Sequence, residues 1–418
     1  MKTKALRLHG KSDLRLEEIT LPPIKENELL VKIICDSLCM SSYKSAKQGG
    51  DHYRVPDDVA DNPTVIGHEL AGEIIEVGAK YTGRFKAGQK FALQPAMNHT
   101  IEALGYSFPY IGGNMQYAIV PEIYIESGCV LTYDSDSFFE GALAEPYSCV
   151  IGAAHSSYHT SKGVYEHIMG IREGGSMAAF AACGPMGLAF IDYIINCPRK
   201  PSVLIVADID EAKLAMAARR LSPEKAAKQG IKLQYVNMKN FSDPVAALQE
   251  VNGGNKYDDV FVFVPVASLI EQADALLAYD GCMNFFPGPN ETDFKAPINF
   301  YNVHYNMSHI VGVSGGNTDD MKEALEMSAS GKTNPALLVS HIGGLDSAAE
   351  ATLNLPNLPG AKKLIYSDIS MPLTAITDFA EKGKTEPLFK GLAEICAKHN
   401  GLWSAEAEIY LLENGTKI

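Results

Sequence analysis

The spacing of apolar positions changes part-way along the chain. Through the first 150 or so residues they gather in short β-branched and aliphatic runs, Leu29 to Cys35 and Gly72 to Val77, and Gly78, Gly83, Gly88, Gly112 and Gly113 punctuate the stretch after them. Such runs between glycine turns predict a compact β-rich module. After Glu145-Pro146 the character changes. Ser148 to Tyr158 reads as a small-residue helix, Ser176 to Ala181 as a buried strand, and Leu188 to Ile195 as an apolar helix. Further strands are expected at Val203 to Ala207, Leu233 to Val236, Val260 to Val264 and Cys282 to Phe286, with helices at Glu211 to Arg220 and Ser268 to Leu277. Alternation of this kind predicts a parallel, doubly wound sheet.

From His309 to Val313 onward the pattern loosens, with helices expected at Thr318 to Ser330 and Ser347 to Leu353. The tail has helix signals of its own. Thr385-Glu386-Pro387 can start one, Leu388, Leu392 and Ile395 form its apolar stripe, Asn400-Gly401 stops it, and Ser404 can cap a last helix to Glu413. There is no internal repeat.

Composition narrows the possibilities. A chain of 418 residues exceeds what one core serves, and 46% hydrophobic residues suffice for two packed domains. The net charge of −14 argues against non-specific nucleic-acid binding and against an anionic membrane surface. Any anionic substrate therefore needs locally clustered Lys or Arg. The 8 scattered cysteines form no CxxC and fit a reducing, cytoplasmic setting, and neither a secretory leader nor a membrane-spanning run is visible.

Candidate chemistry falls in both halves. Ala182-Cys183-Gly184-Pro185-Met186-Gly187 matches a GxGxxG fingerprint except at its first glycine, where Ala182 stands. It lies between a strand and a helix, and Asp208 closes the next strand, where a carboxylate accepts from ribose hydroxyls. That carboxylate favours NAD over NADP, although Lys213 or Arg219 nearby could blunt the preference. In the first half, Gly67-His68-Glu69 sets an imidazole beside a carboxylate at a bendable turn, and Cys39 and Glu145 can complete a set of ligands suited to a catalytic zinc. Taken singly, Cys39 reads as a buried small hydrophobe and Glu145 as a helix N-terminal acid. His155 and His159 share a helical face at i, i+4, but with no acidic or cysteine partner in view they read as packing.

These motifs resemble those of zinc-dependent medium-chain dehydrogenases. Cys39 with Ser41, Gly67-His68-Glu69, Gly72 to Gly78, Gly112 to Pro121, Glu145-Pro146, Gly184 to Leu188 and Asp208 stand in that family's order, most like its polyol dehydrogenase branch, over roughly residues 1 to 366. The resemblance implies an α/β protein. A GroES-like β-rich catalytic domain is made of residues 1–148 and 310–418, around a Rossmann domain with a doubly wound parallel sheet at 149–309. It implies zinc held by Cys39, His68 and Glu69, with Glu145 a fourth, alternating ligand or close neighbour. Ser41 becomes a proton relay, Gly184, Pro185, Met186, Gly187 and Asp208 hold the cofactor, and the substrate is a polyol or ketose. Partners follow the same pattern: a small-molecule substrate and a homo-oligomer, dimer or tetramer, with no nucleic acid and no membrane.

Three departures stand out. The cysteine-rich lobe for a structural zinc, expected between Gln94 and Gly113, is missing, so one zinc per subunit is expected. The acid and histidine that usually follow the ligand cysteine are replaced by Ser42 and Lys44. Some other group must then fix the tautomer of His68. Lys44 would stand at the end of the relay, where a cation holds a proton path, contacts ribose or binds an anionic group; a solvated surface lysine is equally open. With Lys47, His52 and Arg54 close by, a basic pocket for a sugar phosphate is expected, so the activity becomes hydride transfer between a nicotinamide cofactor and a polyol or ketose phosphate. The alternative is a lapsed relative that binds dinucleotide as a sensor or structural subunit. Residues 367–418 extend past the family's usual end, and their apolar stripe is expected to cover the catalytic domain or a subunit interface.

Overall fold

The computed structural model describes residues 1–97, 99–289 and 291–418. Two compact units emerge: Met1–Glu145 with Asn317–Ile418, and Pro146–Gly316.

In the first unit the strand Leu29–Ser37 is the centre of an eight-stranded sheet. It pairs antiparallel with Leu70–Val77, with Tyr117–Val120 and with Lys362–Tyr366. Leu29, Val31 and Ile33 pack into one core cluster and Ile34 and Cys35 into another, so the end of the strand is covered on both faces, which explains the apolar run. Leu364 lies opposite Ser37, so the late part of the chain is stitched to the early part by a ladder that no local pattern announces.

The C-terminal residues form helices Pro387–Lys398 and Ala405–Asn414, the second capped by Ser404 Oγ accepting from the Ala407 amide. Phe389, Leu392, Ile395 and Trp403 pack into one cluster with Cys35, Phe139, Leu143, Leu364 and Tyr366. The extension therefore completes the core of the first unit.

One boundary differs from the expected one. The helix read as Ser148 to Tyr158 runs from Phe139 to Ser156, with Pro146 inside it. A proline usually ends a helix by removing a hydrogen bond to the preceding turn. Here the turn before it is held from outside. Glu408 accepts from the amides of Phe138 and Phe139, at 2.5 and 2.9 Å, and Phe139, Ala142 and Leu143 are buried. Glu145 accordingly sits within the helix rather than at its start. The helix also stops at Ser156, so His155 and His159 share no face. His159 lies on the strand Tyr158–Ser161, with Nε2 3.1 Å from Asp259 Oδ1 and Nδ1 2.9 Å from the Asp280 carbonyl. The acidic partners that the sequence did not reveal come from distant strands and hold a buried packing residue.

The second unit has a six-stranded, wholly parallel sheet. Its order is Lys232–Asn237, Val203–Asp208, Ser176–Phe180, Tyr257–Val262, Leu277–Phe285 and His309–Val311, with successive strands paired in parallel. The order reverses direction at Ser176–Phe180, the topological switch point at which such sheets bind ligands beyond their carboxyl ends.

Candidate metal centre and dinucleotide turn

Three ligand-type residues converge in the first unit. Cys39 follows the strand Leu29–Ser37 and precedes the helix Met40–Gln48; His68 and Glu69 immediately precede the strand Leu70–Val77. Because those two strands are neighbours, with Asp36 opposite Leu70, the three side chains meet, and their ligand atoms lie within 4.8 Å of one another. The bend before His68 needs glycine. Gly67 has φ +92°, and a Cβ there would lie 2.2 Å from Asn114 Nδ2. That amide donates to Asp36 Oδ2 at 2.7 Å, while Asp36 Oδ1 accepts from the Glu69 amide at 3.1 Å. Thus a buried carboxylate that no motif singles out fixes the backbone of the tripeptide.

Ser42 answers the question of the missing acid. Its Oγ lies 3.3 Å from His68 Nδ1. A hydroxyl accepting from Nδ1–H leaves the lone pair of Nε2 for a metal, the orientation that such outer partners impose on ligand histidines.

Lys362 is the residue that sequence reasoning missed. Its Nζ contacts Glu69 Oε1, and both side chains are almost wholly buried. Burial works against its charge, but Glu69, Cys39 and Glu145 around it hold its pKa above the ordinary lysine value. The sheet register brings it there: Leu364 opposes Ser37, and just past the end of that ladder the Leu38 amide donates to the Lys363 carbonyl at 2.9 Å, which leaves Lys362 beside the segment that carries Cys39. The available signal was a lysine pair, Lys362-Lys363, opening a strand in which every position is buried.

The electrostatics suit a divalent cation. Burial, then Glu69, pushes the Cys39 thiol above its usual pKa. Glu145 is raised to about 7 by burial and by Glu69, against the pull of His68. Burial lowers His68 below the ordinary histidine value, which leaves a neutral imidazole. Glu69 Oε2 is buried and has no hydrogen-bond partner. A neutral imidazole, a thiol and an unpartnered carboxylate oxygen therefore meet within 4.8 Å, a donor set that fits zinc, while Glu145 lies in their electrostatic neighbourhood but outside that group. Lys362 adds one positive charge against Glu69 Oε1.

Ser41 is half-buried, and its hydroxyl is close enough to Cys39 and Tyr106 to work against the burial that raises both their pKa values. Tyr106, also overlooked in the sequence, stacks on His68 with ring centroids 5.4 Å apart. His52 stacks on the same Tyr106 ring at 5.2 Å, and the Arg54 guanidinium carbon lies 5.6 Å from its centroid. Burial, then Arg54 and Lys44, lowers the His52 pKa, so these three basic side chains share one electrostatic neighbourhood. Lys47 is exposed and lies over Tyr43 instead.

In the second unit the turn after Ser176–Phe180 leads into the helix Pro185–Asn196, with Gly184 at its N-cap and Pro185 in its first turn. A Cβ on Gly184 would meet nothing within 4 Å, whereas one on Gly187 would lie 2.1 Å from the Ala182 carbonyl oxygen. Gly184 thus leaves open the approach to the helix amides, and Gly187 lets helix and turn touch. Positive φ falls on Ala181, at +53°, not on Ala182, so the alanine in place of the first fingerprint glycine meets no backbone penalty. Asp208 Oδ2 accepts from the Cys183 amide at 3.3 Å and Oδ1 from the amides of Ile209 and Asp210. Its carboxylate still has acceptor capacity for a ribose. Met186 lies in the helix's first turn, half-buried.

Known proteins share this arrangement. Residues 25–127 match the family model of the alcohol dehydrogenase GroES-like domain, and residues 203–330 that of zinc-binding dehydrogenases. The chain is 50% identical to a mannitol-1-phosphate 5-dehydrogenase of Aliivibrio fischeri, covering 98% of this chain and 97% of that one. It is 46% identical to an L-sorbose 1-phosphate reductase of Klebsiella pneumoniae, over 100% and 98% of the two chains. The fold matches the crystal structure of a 2R,3R-butanediol dehydrogenase from Bacillus subtilis with a TM-score of 0.68 at 21% identity, covering 88% of this chain and all of that one.

Proposed function

Because the chain belongs to the zinc-dependent medium-chain dehydrogenases, in their polyol branch, we propose that it interconverts a polyol phosphate and a ketose phosphate, exchanging hydride with a nicotinamide cofactor. It is an oxidoreductase acting on a CH–OH group. The observation that carries the site assignment is the convergence of Cys39, His68 and Glu69 within 4.8 Å, with one Glu69 oxygen buried and unpartnered.

In this reading Cys39, His68 and Glu69 would hold one zinc, with Glu145 a fourth, alternating ligand or close neighbour. Bound zinc supplies a Lewis acid that makes the substrate hydroxyl more acidic. Ser41, two residues from Cys39, would receive that proton. Ser42 would hold His68 in its ligating tautomer, and Lys362 sets an ammonium directly against Glu69. Gly184 to Gly187 take the pyrophosphate, and Asp208 takes the ribose of NAD in preference to NADP, since a 2′-phosphate would meet its charge.

A lapsed, dinucleotide-binding sensor is not favoured, given relatives named as a dehydrogenase and a reductase over nearly their whole lengths. The deciding experiment measures zinc per chain and NADH absorbance against ketose and polyol phosphates. Stoichiometric zinc with turnover is expected, and Cys39→Ser and His68→Ala should each lose both metal and at least about a hundredfold in kcat/KM. Full activity in a zinc-depleted H68A variant would refute the assignment.

A further inference from the structure

The basic side chains beyond Tyr106 have a chemistry that the metal centre does not use. Arg54 has no carboxylate partner among the described residues, and its Nε is buried without a hydrogen bond. An arginine in that condition is poised for an anion, because its planar donors are partly desolvated and unspent. Its backbone is fixed: the Arg54 carbonyl accepts from Ser107 Oγ at 2.7 Å, and Val55 beside it packs in the same core cluster as Tyr106. His52 adds a donor. The Arg54 amide donates to His52 Nδ1 at 3.3 Å, so Nε2 carries the proton of the neutral ring. Lys44 reaches the same neighbourhood from the helix Met40–Gln48.

Position supplies the second half of the argument. His52 and His68 both stack on Tyr106, at 5.2 and 5.4 Å with interplanar angles of 15° and 25°. Both histidines thus stack on one ring, so the cations beside His52 and the proposed ligand His68 are neighbours of the same Tyr106. An anion held by Arg54 therefore stands within one aromatic residue of the proposed metal centre, close enough to belong to the molecule whose carbon reacts there.

Resting on the polyol-phosphate reading above, we propose that Arg54, assisted by Lys44 and His52, is the anchor for the substrate's phosphate monoester, carried on a carbon remote from the one oxidised. Arg54 is thus a specificity-determining residue. The same contacts admit inorganic phosphate as a weak competitor.

The test compares kcat/KM for a ketose phosphate and for the same ketose without phosphate, in wild type, Arg54→Gln and Arg54→Lys. In parallel, calorimetry measures binding of inorganic phosphate to each protein without turnover. Arg54→Gln should cut the preference for the phosphorylated substrate by on the order of 10- to 100-fold, chiefly through KM, and weaken phosphate binding in step; Arg54→Lys should fall between. Equal losses on both substrates, or an undiminished preference in Arg54→Gln, would overturn the assignment. Wild type indifferent to the ester but binding phosphate through Arg54 would keep the anion site and refute the substrate reading instead. If no variant binds phosphate differently from wild type, the site falls whatever the substrate proves to be.

Discussion

At the scale of single residues, Ser42 and Lys362 are the closest supports of the proposed metal centre, one against the proposed ligand His68 and the other against the proposed ligand Glu69. Ser42 touches His68 Nδ1 at 3.3 Å. A neutral hydroxyl orients the ring but adds no negative charge, so it tightens the metal less than a carboxylate would. Removing it in Ser42→Ala should weaken zinc retention about 10- to 100-fold, read as metal content after dialysis against a graded chelator. Unchanged retention would show that another group sets the tautomer. Lys362→Met leaves Glu69 buried beside no ammonium, and breaking such a pair costs about 3–5 kcal/mol. Urea unfolding in chelator should reveal that loss, and added zinc should recover part of it by supplying the missing positive charge. Equal deficits with and without zinc would detach Lys362 from the metal site.

At the scale of elements, the helix Phe139–Ser156 and the C-terminal helix Ala405–Asn414 depend on each other. Glu408 accepts from the Phe138 and Phe139 amides and from Tyr366 Oη, at 2.8 Å for the last, and Trp403 Nε1 donates to that same Tyr366 hydroxyl. Glu145 rides on the helix so held. Burial raises the Glu408 carboxyl from the ordinary 4.5 to about 7. A raised folded-state value means that the folded protein keeps a proton which the unfolded chain has released between those pH values. This group's contribution is therefore complete below pH 4.5 and is lost as pH rises through about 7. The Tm difference between wild type and Glu408→Gln should shift accordingly: wild type loses ground to the variant as pH rises from about 5 to about 8. A difference flat across that range would contradict the assigned ionisation.

For the whole molecule, the proposed ligands come from positions 39, 68, 69 and 145, while the lysine beside them comes from 362. A bound cation ties segments that are distant in sequence within the unit Met1–Glu145 and Asn317–Ile418. Chelation should lower the Tm by several degrees, and zinc should restore it, since a ligand that binds only the folded state stabilises by mass action. A Tm indifferent to chelation would mean that these residues hold no metal. No helix among the described residues is long and apolar enough to cross a membrane.

What the sequence determined by itself is what local physics controls. The alternating strands and helices of the parallel sheet, the Ser404 cap, the glycine turn before a helix and the turn at Gly67 are each set by period, propensity or backbone freedom within a few residues. The motif order likewise identified the family, since spacing along a chain is a sequence property. Tertiary structure decided everything that depends on register between distant strands. It brought Lys362 to Glu69 and Ser42 to His68, raised Asp36 to a backbone clamp and stacked both His68 and His52 on Tyr106. It also carried the helix through Pro146, because the groups that hold its first turn belong to residue 408. Pairings across hundreds of residues leave no periodic trace, so buried charge and its compensation become legible only once the sheet has closed.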